Sequence, residues 1–210
     1  YPVPSPNSFV MKNGVALYGG FDPDNGIDSL DDTRIMMDTS GVNGSILNGK
    51  NERPVIWNEF TAATAMDTTT VLDGFTITGG LNTGTGLYDG GAGIRNKYAS
   101  PQIRNVVFRA NNAYNGAGVF NQFSSSKYIN TAFINNVATH AGGGMLNYSS
   151  STVNMDKALF VGNQADNGGA ISNRYTGNQT FKNLTIFRNK ASTASGGLEN
   201  ISSTSTVINS

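Results

Sequence analysis

One frame recurs five times along this chain: Gly91-Ala92-Gly93-Ile94-Arg95-Asn96, Gly116-Ala117-Gly118-Val119-Phe120-Asn121, Gly142-Gly143-Gly144-Met145-Leu146-Asn147, Gly168-Gly169-Ala170-Ile171-Ser172-Asn173 and Ser195-Gly196-Gly197-Leu198-Glu199-Asn200. The closing asparagines stand 25, 26, 26 and 27 residues apart. A near-constant period of about 20 to 50 residues marks a solenoid, whose repeats bury their apolar faces only against neighbouring repeats. Such a chain grows along an axis, and function has to be sought where the period breaks.

Alignment on the asparagines exposes a second column, Ile77, Phe108, Phe133, Phe160 and Ile186, followed three residues later by Gly80, Asn111, Asn136, Asn163 and Asn189. Two residues before that column stand Phe75, Val106, Thr131, Ala158 and Leu184, the alternation of a strand. The glycine frame supplies another strand through Ile94, Val119, Met145, Ile171 and Leu198. A third is expected around Ile103, Tyr128, Met155, Phe181 and Val207. The expected fold is therefore all-β: a parallel β-helix of three sheets and about seven coils, stacked at the strand spacing of about 4.8 Å. Stacking places like on like. Asn96, Asn121, Asn147, Asn173 and Asn200 are expected to form one ladder of side-chain amides, and Asn111, Asn136, Asn163 and Asn189 a second. The glycines fall at corners that need positive φ or close backbone approach. Their recurrence without a following helix sets aside a phosphate-cradling loop, which Gly90-Gly91-Ala92-Gly93 superficially matches.

Composition agrees with strands and turns: 26 residues are Gly and only 13% are charged. The formal net charge of zero hides a segregation, with 4 Lys/Arg against 11 Asp/Glu in residues 1–90 and 10 against 3 in residues 91–210. That pattern marks either two partner surfaces or two solvated faces. The basic residues are scattered singly without interleaved aromatics, which argues against nucleic acid as a partner. Without Cys there is neither a disulfide framework nor a thiolate metal site. No apolar run reaches the roughly 18 residues of a membrane-spanning helix, and Tyr1-Pro2-Val3-Pro4 lacks the regions of a signal peptide. The expected organisation is a single β-helix domain over 1–210, with irregular coils at 1–70 and regular coils at 71–210. Residues 204–209 read as a further strand, so the domain is expected to be cut from a longer chain.

Upstream the strand-like runs at 14–18, 45–48, 54–57 and 70–77 are separated by long turns at 22–44 and 58–69. From Ile77 to Asn96 the chain takes 19 residues where later coils take 13 or 14, which places an insertion at 81–89. Loops that project from a solenoid are where binding is usually built, so these three segments are the first candidates.

The run Val71-Leu72-Asp73-Gly74-Phe75-Thr76-Ile77-Thr78-Gly79-Gly80, the segment 100–108, and Phe160-x-x-Asn163 followed by Gly168-Gly169-Ala170-Ile171 resemble the polymorphic outer membrane protein repeats. They are similar to the right-handed parallel β-helix segments of very large surface proteins of Bacteroidetes. Val15-Ala16-Leu17-Tyr18-Gly19-Gly20-Phe21-Asp22-Pro23 resembles the N-terminal coils of the same proteins. The resemblance implies a right-handed β-helix and an exported chain, often sent by the type IX route, acting as adhesin or stalk outside the cell.

Many parallel β-helices are polysaccharide lyases or hydrolases, which makes an enzyme the alternative. Glycoside hydrolysis needs two carboxylates across a groove, and lyase chemistry needs a base with charge neutralisation. From residue 91 onward the only acids are Asp156, Asp166 and Glu199, and they form no pair in the coil alignment. The sole histidine, His140, is read as an exposed turn residue aligned with Asn115 and Asn167. No catalytic residue is assigned, and the enzyme alternative rests on Glu59, Asp67, Asp73 and Asp89 with Trp57 and Tyr88. Asp22, Asp24 and Asp28 alternate around Gly26 and are the candidate calcium ligands, calcium being the one cofactor considered; the competing reading is a metal-free Asx turn. Phe120 and Leu146 fall in an outward column on adjacent coils and are either an exposed contact surface or the floor beneath an inserted loop. The preferred expectation is a non-catalytic surface module whose partner is a glycan, a protein or a neighbouring domain of the parent chain.

Overall fold

The computed structural model of the chain describes residues 8–35 and 44–210, and all of its named strands pair in parallel with the equivalent strands of adjacent coils. The Tyr1–Pro4 start and the centre of the 22–44 turn lie outside the described residues. Among the described residues three sheets run along the axis, of nine, six and four strands. The glycine-frame strands make the six-stranded sheet: Ile56–Glu59, Ile94–Lys97, Val119–Gln122, Met145–Tyr148, Ile171–Arg174 and Leu198–Ile201. Its six rungs correct the expected seven coils to about six turns. The N-terminal strands Ala16–Tyr18 and Ser45–Asn48 add one more rung to the nine-stranded sheet only, split by the chain between them.

The third sheet is not the expected one. Ile103 and Phe108 share a single strand, Gln102–Arg109, which bends at Asn105 (φ 50°); Asn130, Lys157 and Asn183 bend the three equivalent strands. The third sheet instead follows the second asparagine column, as Asn112–Asn115, Val137–Ala141, Gln164–Ala165 and Lys190–Ala191. Its inward residues Ala113, Ala138 and Ala165 form with Ala92 and Ala117 a small core of their own. Short strands built on Ala carry little β-propensity, and their stability comes from stacking.

The main core lies between the two larger sheets. Phe108, Phe133 and Phe160 stack with ring centroids 4.8 and 4.3 Å apart, each buried ring being worth about 1.5–3 kcal/mol. Both expected ladders form. Nδ2 of Asn96 donates to Oδ1 of Asn121 at 3.0 Å, and the series runs on through Asn147 and Asn173 to Asn200. Asn58 extends it by one rung, since its Nδ2 donates to Asn96 at 3.0 Å. In the second ladder the amide oxygens of Asn136, Asn163 and Asn189 each accept twice, while that of Asn111 takes the Gly80 N–H. Oδ1 of Asn136 takes Nδ2 of Asn111 at 2.9 Å and its backbone N–H at 3.2 Å, and Asn163 and Asn189 repeat the arrangement. The corners explain the glycines: Gly91, Gly116, Gly142 and Gly168 all have positive φ, and a Cβ on Gly118 would collide with the carbonyl oxygen of Gly144.

Candidate functional site

The period breaks in one coil of the third sheet. Leu81 bridges to Asn112 and Gly90 to Asn115, so the two ends of a strand are present while residues 82–89 loop outward between them. The loop is held by its own polar groups. Asn82 donates to the Gly90 carbonyl at 3.0 Å, and the Asp89 carboxylate accepts the Gly86 N–H at 2.7 Å. Arg95 Nη1 donates to the Tyr88 carbonyl at 2.7 Å, and Asn115 Nδ2 to that of Leu87 at 3.1 Å. These bonds fold the loop over the outer face of the six-stranded sheet.

That outer face carries two columns by register, Trp57-Arg95-Phe120-Leu146-Ser172-Glu199 and Glu59-Lys97-Gln122-Tyr148-Arg174-Ile201. Phe120 and Leu146 do point outward, but they are 0% and 2% exposed and form with Ala141 and Tyr148 a covered apolar cluster. The exposed-contact reading is therefore corrected to the floor beneath the loop. Tyr88 sets its ring edge on Tyr148 with centroids 5.8 Å apart, and the Arg95 guanidinium lies over Trp57 on one side and Phe120 on the other.

Between loop and sheet lies a cleft of about 760 Å³ whose walls include Glu59, Leu87, Tyr88, Arg95, Gln122 and Phe123. Glu59 accepts from Lys97 at 2.7 Å, Arg95 at 3.3 Å and the Trp57 indole at 3.0 Å. Partial burial resists its ionisation, yet the Lys97 hydrogen bond, the charges of Arg95 and Lys97 and the indole bond outweigh that and hold its pKa below the usual 4.5. It is a fixed anion. Gln122 is only 5% exposed, and its Oε1 has no hydrogen-bond partner among the described residues.

Beside the cleft runs a corner column at two residues beyond each ladder asparagine: Tyr98, Phe123, Ser149, Tyr175 and Ser202. All five adopt left-handed φ, from 45 to 55°. Elsewhere left-handed φ falls mostly on Gly and on Asn, as at Asn105, Asn130, Asn135 and Asn183, with Ala110, Lys157 and Arg188 among the exceptions. Bulky residues are poorly suited to such φ. Tyr98 and Phe123 stack at 4.8 Å, and Tyr175 sets its edge against Tyr148 at 5.9 Å.

A second polar cluster lies further along the same sheet. Glu199 Oε2 accepts from Ser172 at 2.6 Å and from Arg174 at 3.1 Å. His140 is not the free turn residue expected, because its coil has one extra residue and Ala141, not His140, registers with Asn115 and Asn167. The bulge places His140 against Tyr114, ring to ring at 5.1 Å, with Nδ1 2.8 Å from Asn115 Oδ1 and Nε2 3.4 Å from Arg174. Since Arg can only donate, Nε2 accepts and Nδ1 carries the proton, the neutral form. Burial, then the Arg174 charge, pull its pKa below 6.5 against Asp166 and Glu199.

The remaining candidates separate. Asp22, Asp24 and Asp28 do not converge: the Asp22 carboxylate takes the Asn25 amide at 2.9 Å, its carbonyl takes the Ile27 N–H, and Gly26 closes the turn at φ 75°. Among the described residues no three acidic, His or Cys side chains are grouped to hold a metal ion, and the turn after Asp22 closes through backbone bonds with no side-chain cap from Asp22. Asp73 is tied to Arg34 and Asn105, and Asp67 caps Thr69, both away from the cleft that Glu59 and Asp89 line. Asp156 lies on the strand Asn154–Val161 of the nine-stranded sheet, whereas Asp166 follows the third-sheet strand Gln164–Ala165. No helix among the described residues is long and apolar enough to cross a membrane.

Fold and cleft together define a three-sheet parallel β-solenoid with one loop-walled site on its six-stranded sheet. No protein-family model matches the chain, and no curated protein or solved structure matches it.

Proposed function

We propose that this chain is a non-catalytic, exported surface module of adhesin or stalk type that presents its loop-walled cleft to a glycan or protein partner outside the cell. The observation that carries the reading is the single opening of the third sheet at residues 82–89, which converts a repeated structural rung into a walled cleft. The likeness of the repeats to polymorphic outer membrane protein segments and to Bacteroidetes surface β-helices supports export and a place at the cell surface. The regular coils carry polar groups largely consumed in ladders and corners, as a scaffold requires.

The enzyme reading keeps one favourable observation, since Glu59 and Asp89 line the same cleft. A glycosidase needs one of two such carboxyls protonated near neutrality. Glu59 is held ionised by Lys97 and Arg95. Glu59 so held fills at most the base or nucleophile role and leaves the acid unassigned, whereas binding requires neither. The test couples the protein to beads and scores adherence to mucin-coated and polysaccharide-coated surfaces, alongside assays for new reducing or unsaturated ends. Adherence without new ends supports the proposal; release of ends overturns it in favour of the enzyme.

A further inference from the structure

We infer that the cleft is gated by acid: Arg95 straps the 82–89 loop onto the sheet, and protonation of Glu59 frees Arg95 and lets the loop lift. The inference rests on the binding-module reading and names how that site is regulated. Arg95 ties the loop to the floor through several contacts at once. Its Nη1 donates to the Tyr88 carbonyl at 2.7 Å and its Nε to Glu59 at 3.3 Å, while the guanidinium lies 4.9 Å from the Trp57 ring centre and 5.1 Å from that of Phe120. The side chain is only 3% exposed. A guanidinium keeps its charge there, so it needs a counter-charge to stay.

Glu59 is that counter-charge. Burial pulls the Arg95 pKa below its usual 12.5, and the attraction and hydrogen bond of Glu59 oppose this ahead of the more distant charge of Asp89. Asp89 makes no ion pair among the described residues and accepts the Gly86 N–H instead. The other neighbours of Glu59 do not replace it. On its own strand Trp57 donates a hydrogen bond at 3.0 Å, and Lys97 at 2.7 Å brings a second cation. Phe9-Val10-Met11, along the other side of that strand, is uncharged, and Lys12 after it forms no ion pair among the described residues. The strand beyond Arg95 contributes Phe120 and Gln122, and the loop contributes Tyr88 and Asp89.

Protonation of Glu59 therefore leaves two adjacent cations with no anion between them. Lys97, 23% exposed, turns to water in place. Arg95 reaches water only from beneath the loop, and leaving breaks its bond to the Tyr88 carbonyl. The loop is then held by the Asn82 and Asn115 amides and the Tyr88–Tyr148 edge contact. A segment held by so few bonds opens locally while the stacked coils stay folded. Opening uncovers Phe120 and Leu146 and removes one wall of the cleft, so a partner held at neutral pH is released in acid.

Trp57 is the only tryptophan and lies beneath Arg95, so its fluorescence reads the gate without any ligand. Acrylamide quenching of Trp57 in the full chain is measured from neutral pH to below 4.5, with far-UV circular dichroism at each step. The quenching constant is expected to rise about twofold in acid while the β-spectrum holds. Glu59→Gln is expected to be quenched at the higher level already at neutral pH and to show no further rise, and Asp89→Asn to respond like the parent. Quenching flat with pH in the parent overturns the inference, as does a rise that comes only with loss of the β-spectrum. So does a Glu59→Gln chain as protected as the parent at neutral pH, or an acid response abolished in Asp89→Asn. Flat quenching in a parent that adheres to coated surfaces removes the gate alone, whereas an acid response in a parent that does not adhere removes the binding module and keeps the gate as a property of the fold.

Discussion

Asn121 donates from Nδ2 to Oδ1 of Asn147 at 2.9 Å, joining residues 26 apart in sequence. Asn147 passes the bond on to Asn173 at 2.8 Å, so an interior rung is donor and acceptor at once. Replacing Asn147 by Ala leaves two buried amide groups without partners, at about 1–3 kcal/mol each. Asn147→Ala is expected to lose about 2–4 kcal/mol in urea denaturation. Asn200→Ala, at the exposed end of the ladder, is expected to lose under ~1 kcal/mol. Equal losses at the two positions would show that the ladder does not act through burial.

The aromatic stack is expected to grade in the same way. Phe133 lies between two rings, whereas Phe187 is 53% exposed on the outside of its strand. Phe133→Ala should cost about 3–5 kcal/mol and Phe187→Ala under ~1 kcal/mol, read from equilibrium unfolding.

Glu59 ties stability to acid. Folding lowers its pKa, so the unfolded chain takes up the proton more readily. Its stabilising contribution is complete above the ordinary value of 4.5 and is lost as pH falls through the folded-state value. The gap in denaturation midpoint between the parent and Glu59→Gln should be widest above pH 4.5 and close as pH is lowered further. A gap independent of pH would contradict the ion-pair assignment.

His140 acts in a different window. Folding lowers its pKa below 6.5, so the unfolded chain again protonates first on acidification. Stability should fall as pH drops from 6.5 and level off once folded His140 also titrates. His140→Asn should flatten that segment of the stability profile; a variant as pH-sensitive as the parent between pH 6.5 and the levelling point would show that His140 is not the group responsible.

Most of the scaffold was legible because stacking makes each coil solve the same burial problem. Ile94, Val119 and Met145 therefore recur as a column, as do the ladder asparagines. The third sheet escaped because Ala113, Ala138 and Ala165 in short polar strands carry no strong alternation, while the bend at Asn105 made one strand look like two. The insertion at 81–89 was visible as a count of residues. What it folds onto was not: alternation says that Phe120 faces outward and cannot say that Tyr88 and its loop will cover that face. Gln122 gave no signal in a column shared with Lys97, Tyr148 and Arg174. The aromatics at 98, 123 and 175 were there to be found, two residues beyond each ladder asparagine.

The division between repeated scaffold and interrupted site is tested most directly by closing the interruption. Replacing residues 82–89 with Ala-Tyr, the pair at 113–114 of the next coil, restores a continuous third-sheet rung between Leu81 and Gly90. Adherence of this variant and of the parent to mucin- and polysaccharide-coated surfaces is the measurement, with circular dichroism confirming the β-fold in both. The expected result is an intact solenoid that no longer adheres. Adherence equal to that of the parent would contradict the account and return the function to the repeats themselves.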